Sequence, residues 1–134
     1  MERLSQRLLT ARQALHTLLE VLNLEKSPVV RDAAIQRFEY TFEAMWKAAQ
    51  LFQKEREAVE AASPKSVIRA CFRSGFLDED QARLAMEMAD DRNLTVHTYN
   101  EQLAEAIYAR LPRYAGLMDS WLAAMERHSA REPL

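Results

Sequence analysis

The chain has 134 residues, a length that suits one domain with a real hydrophobic core and excludes two. Hydrophobic residues make up 49% and charged residues 28%, with two glycines and four prolines, so the composition excludes a disordered chain and favours a helical domain. The formal net charge of -2 excludes wholesale electrostatic binding to nucleic acid, although 18 Lys and Arg residues are enough for one local basic face.

The first two predicted helices share one pattern, in which apolar residues recur alternately every four and three positions and so lie on one face. The second helix begins at Ser27, an N-cap residue, followed by Pro28 at the first helical position. It extends at least to Phe52, and residues 55–62 either continue it or form a link. The core side chains expected from these helices are Leu4, Leu8, Ala11, Leu15, Leu18, Leu22, Phe38, Phe42, Met45, Ala49 and Phe52.

The third and fourth predicted helices are marked by residues at their ends, and only the third is short. Ser63 and Pro64 begin the third helix in the way that Ser27 and Pro28 begin the second, and Gly75 is its natural C-terminal stop. Acidic residues from Asp78 onward favour the start of a fourth helix, because they complement its dipole. This helix extends to about Arg92.

The fifth predicted helix is long. Thr98 and Glu101 fit a capping box, so we expect the helix to begin near Tyr99. Pro112 lies within its apolar pattern and should kink or split it. Together the five helices predict an all-α fold, an antiparallel up-and-down four-helix bundle with a short extra helix, in one domain at residues 1–128 with a frayed tail at 129–134.

The sequence gives no sign of a membrane segment or a metal site. No apolar run approaches the ~20 residues that span a bilayer, and the N-terminus lacks a signal-peptide core. Cys71, the single cysteine, excludes an internal disulfide and is typical of a reducing compartment, so we expect a cytoplasmic protein. His16 and His128 have no partners at metal-ligand spacing, and we expect neither metal nor cofactor.

Arg92 and His97 flank the expected break between the fourth and fifth helices. On an unbroken helix, residues five apart point about 140° away from each other, whereas a break lets them converge. An arginine beside free helix N–H groups suits a phosphate, and a histidine can move a proton near neutral pH. These groups suit metal-independent RNA cleavage, with a two-fold dimer supplying a second histidine as the acid. The alternative is that these polar residues only cap a helix.

Three ordered blocks, at residues 35–47, 63–77 and 91–99, resemble the HEPN superfamily, and more closely its nucleotidyltransferase substrate-binding branch. The superfamily signature is an arginine, a neighbouring polar residue that is often asparagine, and a histidine four to six positions on. Here these are Arg92, Asn93 and His97.

The resemblance implies a dimeric helical bundle encoded beside a minimal nucleotidyltransferase. In related toxin–antitoxin pairs the HEPN protein is a ribonuclease toxin, and the nucleotidyltransferase silences it by transferring AMP to the tyrosine two positions after the signature histidine. That position is Tyr99, while Arg92 and His97 carry over as catalytic residues and Asn93 as a supporting one. Because the branch is named for binding a nucleotidyltransferase's substrate, the second hypothesis is a non-catalytic subunit that presents a substrate or nucleotide.

Two further surface features have more than one interpretation. Lys65, Arg69 and Arg73 recur every four residues and form a basic stripe, which is either solvated surface or a contact to RNA or an acidic partner. The aromatic residues of the second helix have core spacing, with Tyr40 and part of Trp46 left for a subunit interface. The chain has no glycine-rich phosphate loop, so it is not expected to be the nucleotidyltransferase itself.

Overall fold

Helices make up nearly all of residues 2–131, the part of the chain that the computed structural model describes. The five α-helices of these residues are α1 (Glu2–Leu22), α2 (Pro28–Glu57), α3 (Pro64–Arg73), α4 (Glu79–Leu94) and α5 (Glu101–Arg131), and a single 3-10 turn (Thr95–His97) lies between α4 and α5. The central helix is α2, which packs against each of the other four, while α1 also packs on α5 and the short α3 on α4. This arrangement confirms the predicted helical bundle with a short extra helix.

The core forms where the predicted apolar faces meet. In α1 the expected residues from Leu4 to Leu18 are buried, but Val21 closes the seam and Leu22 is only partly buried. The expected residues of α2 are all buried, and they meet the large side chains of α5, where the ring of Phe38 stacks on that of Tyr114. Among residues 2–131 there is no helix whose length and hydropathy would let it span a bilayer.

Side-chain caps set the starts of α2 and α3, as expected, and also the start of α4. The hydroxyl oxygens of Ser27 and Ser63 accept hydrogen bonds from the first turns of α2 and α3, and the Asp78 carboxylate accepts one from the Gln81 backbone at the start of α4. After α3 the chain turns through Gly75, whose φ of 86° favours glycine. These caps fix where the chain reverses direction.

Residues 55–62, for which the sequence allowed either helix or link, belong partly to α2 and partly to the link that follows it. The second helix ends at Glu57, and Ala58 adopts the left-handed conformation with φ 57° and ψ 34°. For a residue with a Cβ atom this conformation costs about 1–2 kcal/mol. The turn is held by a hydrogen bond from the Val59 backbone N–H to the Gln53 carbonyl at 3.0 Å.

The fifth helix is one continuous helix, and it extends further than expected. It is not split at Pro112 but continues from Glu101 to Arg131. The proline is exposed, so the carbonyl that loses its partner can bond to water, while buried Leu111 and Tyr114 hold both halves of the helix on the core. Residues 129–131 are therefore helical rather than frayed, and residues 132–134 of the expected tail lie outside the described residues.

Candidate functional site

The break between α4 and α5 is present, but a different residue caps α5. Asn100 is the N-cap, because its side-chain oxygen accepts a hydrogen bond from the Leu103 backbone N–H at 3.1 Å. The predicted capping box of Thr98 and Glu101 is wrong: the Thr98 hydroxyl instead donates to the Thr95 carbonyl at 2.9 Å. The 3-10 turn keeps Thr98 at φ -76° and ψ 4°, so its backbone lacks the extended conformation that an N-cap needs.

The guanidinium of Arg92 lies against α2. Its Nη1 is 3.6 Å from a carboxylate oxygen of Glu39, and its Nε is 3.4 Å from one of Glu43. Nη1 also donates a hydrogen bond to the Thr95 hydroxyl at 3.1 Å, and that hydroxyl lies 2.7 Å from Glu39. Two carboxylates therefore face one arginine, and they reduce the positive charge that Arg92 presents to an anion.

One nitrogen of the Arg92 guanidinium is not used in a hydrogen bond. Its Nη2 makes no hydrogen bond within residues 2–131, and the side chain is 25% exposed. Glu43 is held in place from its other side, where the indole N–H of Trp46 donates to it at 3.2 Å. The partly buried Trp46 thus serves the site, in addition to any role at a subunit interface.

His97 and Tyr99 lie together on the exposed turn. The phenolic oxygen of Tyr99 is 3.4 Å from Nδ1 of His97, and the two rings are nearly perpendicular with centroids 5.9 Å apart. Tyr99 is 82% exposed, so its hydroxyl is open to a second protein. Asn93 is also exposed and makes no side-chain hydrogen bond within the described part of the chain.

The structure joins His97 to Tyr99, while Arg92 contacts the carboxylates of α2. That Arg92 and His97 act on one ligand stays a prediction. Of the basic stripe, Lys65 is paired with Asp90 of α4 at 2.6 Å, and Arg69 and Arg73 are exposed and unpaired among the described residues. In the same residues, no group of three His, Cys, Asp or Glu side chains is placed to hold a metal ion.

A buried network that the sequence analysis missed fixes the end of α4. Asp91 is 6% exposed and accepts hydrogen bonds from Arg110 Nε and Nη2, at 2.7 and 3.0 Å, and from the hydroxyl of Tyr114. Burial, and then the adjacent Asp91, raise the pKa of Tyr114 well above its ordinary value. The available signal was the spacing of Arg110 and Tyr114, four apart on one face of α5.

A second missed residue fixes the start of α5. Arg31 is 4% exposed, and its guanidinium contacts Glu101 at 2.7 Å, Glu105 at 3.0 Å and Asp32 at 3.0 Å. Hydrogen bonds to Glu101 and Glu105 raise the pKa of Arg31 above its ordinary value. Both sides of the break are therefore anchored, α4 through Asp91 and α5 through Arg31, and the turn with His97 and Tyr99 projects between them.

Solved structures of other proteins share this fold. The chain is similar in structure to the crystal structure of ttk003001694 from Thermus thermophilus, with a TM-score of 0.84 and 59% identity, covering 86% of this chain and 98% of the other. It shares the fold of HI0074 from Haemophilus influenzae, described as a substrate binding domain of a nucleotidyltransferase, with a TM-score of 0.72 at 23% identity, covering 89% of this chain and 98% of the other.

Sequence comparison identifies a curated relative and a family. The relative, described as a probable ribonuclease HepT of Haemophilus influenzae, is 31% identical over 83 residues, which cover 58% of this chain and 55% of that protein. The family model for nucleotidyltransferase substrate binding protein-like chains matches residues 6–127. That match covers almost the whole described fold, including every residue of the site. The chain therefore belongs to the nucleotidyltransferase substrate binding protein-like family.

Proposed function

We propose that this chain is a HEPN-type ribonuclease toxin of the cytoplasm, an RNA endonuclease that uses Arg92 and His97 without a metal ion. A partner minimal nucleotidyltransferase neutralises it by transferring AMP to Tyr99. The observation that supports both parts is the 3.4 Å contact between the Tyr99 hydroxyl and His97 on an exposed turn. An AMP group on Tyr99 would place a bulky anion against His97, the proposed catalytic base.

In the proposed cleavage, His97 takes the proton from a ribose 2′-hydroxyl, and the oxygen attacks the adjacent phosphorus. The bond from phosphorus to the 5′-oxygen breaks, leaving a 2′,3′-cyclic phosphate and a 5′-hydroxyl. In a two-fold dimer, His97 of the partner subunit would protonate that departing oxygen. Nη2 of Arg92, which makes no hydrogen bond within the described residues, would donate to the phosphate while Glu39 and Glu43 hold the guanidinium in place.

In the proposed neutralisation, the phenolic oxygen of Tyr99 forms a new bond to the α-phosphorus of ATP and pyrophosphate leaves. The phenolic proton can pass to Nδ1 of His97, the nearest proton acceptor on the turn. Because Tyr99 is so exposed, the active site of a partner enzyme can reach it without unfolding the break.

The second candidate is a non-catalytic subunit that binds a substrate or nucleotide for the nucleotidyltransferase. It is favoured by the two carboxylates that face Arg92, because they weaken its ability to stabilise the charge that develops in cleavage. Both candidates use the same turn, and they differ in whether His97 transfers a proton.

The test is cleavage of RNA by the unmodified protein in the presence of a chelator, together with growth arrest on expression. We expect wild type to cut and His97→Ala and Arg92→Ala to be inactive. His16→Ala and Arg83→Ala, which remove the same residue types from exposed positions elsewhere, should keep full activity. If wild type leaves RNA and growth unaffected while still binding the nucleotidyltransferase, the protein is the non-catalytic subunit.

The modification is tested by measuring the intact mass of the protein after co-expression with the nucleotidyltransferase. We expect increments of AMP on wild type and none on Tyr99→Phe, with Tyr40→Phe as the matched control that remains modified. Increments that persist in Tyr99→Phe would place the modification on another residue.

A further inference from the structure

A cavity lined by several charged side chains lies where the first turns of α1 meet the C-terminal half of α2. It has a volume of about 400 Å³, and four cationic side chains line it, those of Arg3, Arg7, Lys47 and Lys54. Glu60 is the single carboxylate among the lining residues whose side chains the structure describes. It shares no lining residue with the turn that holds His97 and Tyr99. Any function here is therefore separate from the proposed cleavage site.

Among the described side chains, few partners neutralise the positive charge of this cavity. Arg3, Arg7 and Lys47 make no ion pair or side-chain hydrogen bond within the described residues, and Lys54 reaches Glu60 only at 3.8 Å, with both side chains largely exposed. Such a loose ion pair at the surface contributes little to stability. In contrast, Arg12 and Lys65 each contact a carboxylate of a neighbouring helix at 2.6 Å.

The link after α2 forms one wall of the cavity. The left-handed residue Ala58 turns the chain back, and the side-chain amide of Gln50 donates to the Ala61 carbonyl at 2.7 Å. This bond holds the link against α2, so that the cations line a concave space instead of a flat helix surface. The buried Leu51 is also among its lining residues.

The spacing of the cations fits an elongated anion. Arg3 and Arg7 are one helical turn apart, about 6 Å along α1, and Lys47 and Lys54 are about 10 Å apart along α2. A single phosphate could contact only part of this set. A chain of linked phosphates could engage both helices, with the arginines donating paired hydrogen bonds and the lysines acting as point charges.

We propose that this cavity binds an oligophosphate chain, such as the triphosphate of a nucleotide. The proposal does not depend on the proposed ribonuclease function, because it involves neither Arg92 nor His97. The polar rim at Glu60 can accept hydrogen bonds from sugar hydroxyls, so a nucleoside triphosphate should bind more tightly than inorganic triphosphate.

The test is isothermal titration of the full chain with ATP, inorganic triphosphate and adenosine at low salt. We expect both phosphate ligands to bind and adenosine not to bind. Arg7→Ala combined with Lys47→Ala should weaken ATP binding about tenfold or more, since charge-assisted hydrogen bonds are lost. The matched control, Arg69→Ala combined with Arg73→Ala, removes the same net charge from α3 and should change the affinity less than about twofold.

Three results would overturn the proposal. The first is no heat of binding with ATP or inorganic triphosphate at millimolar concentrations, and the second is an equal loss of ATP affinity in the control double variant. The third is that a short single-stranded RNA binds more tightly than ATP and that Arg7→Ala and Lys47→Ala abolish this RNA binding. The last result would identify an RNA strand as the occupant. If the double variant fails to fold by circular dichroism, Lys54→Ala and Lys47→Gln replace it as single changes. ATP binding by His97→Ala separates this cavity from the cleavage site, and it should equal that of wild type.

Discussion

Asp91 and Arg92 are consecutive on α4 and bind opposite neighbours. The carboxylate of Asp91 is buried against Arg110 and Tyr114 of α5, while the guanidinium of Arg92 contacts Glu39 and Glu43 of α2. One turn of helix is therefore anchored on both sides immediately before the break. This anchoring holds the exposed turn with His97 in a defined position, although the turn has no hydrophobic core of its own.

Asp91→Ala should destabilise the fold strongly. It removes three hydrogen bonds and leaves the buried hydroxyl of Tyr114 unpaired, so we expect a loss of about 2–3 kcal/mol in the free energy of unfolding, measured by urea denaturation. Asp90→Ala is the matched control, since its ion pair with Lys65 is exposed and should be worth less than about 1 kcal/mol. Equal losses in the two variants would show that the buried network does not anchor α4.

Cys71 should make stability fall at alkaline pH. Burial raises the pKa of its thiol to about 11, against about 8.5 in an unfolded chain. Between these values the unfolded state has lost the proton and the folded state keeps it, so stability is full below pH ~8.5 and declines as pH rises toward 11. The free-energy difference between wild type and Cys71→Ala should shrink by about 2–3 kcal/mol over this range. A difference that stays constant with pH would contradict the buried thiol.

Periodicity along the chain predicted the helices and most of the core, because each apolar face is a property of one helix. Partners between helices could not be predicted in this way. Whether Asp91 meets Arg110, or Arg31 meets Glu101, depends on how each helix is rotated about its axis, which the sequence of a single helix does not determine. The same reason explains why the contacts of Arg92 with Glu39 and Glu43 of α2 were not predicted. The break itself was predicted correctly, but Asn100 competes with Thr98 as N-cap, and the 3-10 turn favours Asn100.

Ala58→Gly should stabilise the protein. Glycine adopts the left-handed conformation without the Cβ penalty, and we expect a net gain of about 0.5–1 kcal/mol after the larger entropy of the unfolded chain is counted. Thermal unfolding measures the effect. Ala62→Gly is the control, because Ala62 lies in the same link without a positive φ and should lose a little stability. A loss at both positions would mean that the turn at Ala58 is not strained.

The basic stripe of α3 should contribute two phosphate contacts to RNA binding, not three. Lys65 is already paired with Asp90, whereas Arg69 and Arg73 have no partner among the described residues. Each contact to single-stranded RNA adds about 0.7 to the slope of log affinity against log salt, so Arg69→Ala with Arg73→Ala should reduce that slope by about 1.4. Adding Lys65→Ala should change it little. A slope equal to that of wild type would show that the stripe is only solvated surface.

Removing the carboxylates that face Arg92 should strengthen RNA binding. In a His97→Ala background, which leaves RNA intact, Glu39→Gln with Glu43→Gln removes two negative charges that lie within 3.6 Å of the guanidinium. We expect affinity for a short RNA to rise several-fold at low salt and the gain to fade at high salt, because screening weakens charge interactions at a partly exposed site. The gain should vanish when Arg92→Ala is added.

The matched control for this experiment is Glu79→Gln with Asp80→Asn. It changes the net charge equally but lies at the opposite end of α4, about 18 Å from Arg92 along the helix. If this control raises the affinity as much, overall charge governs binding and Arg92 has no special part in it. If only the Glu39 and Glu43 change does so, these two carboxylates set how much of the Arg92 charge a phosphate encounters. Cleavage rates of the same variants with His97 restored will then show whether holding the guanidinium in place or freeing it matters more for the reaction.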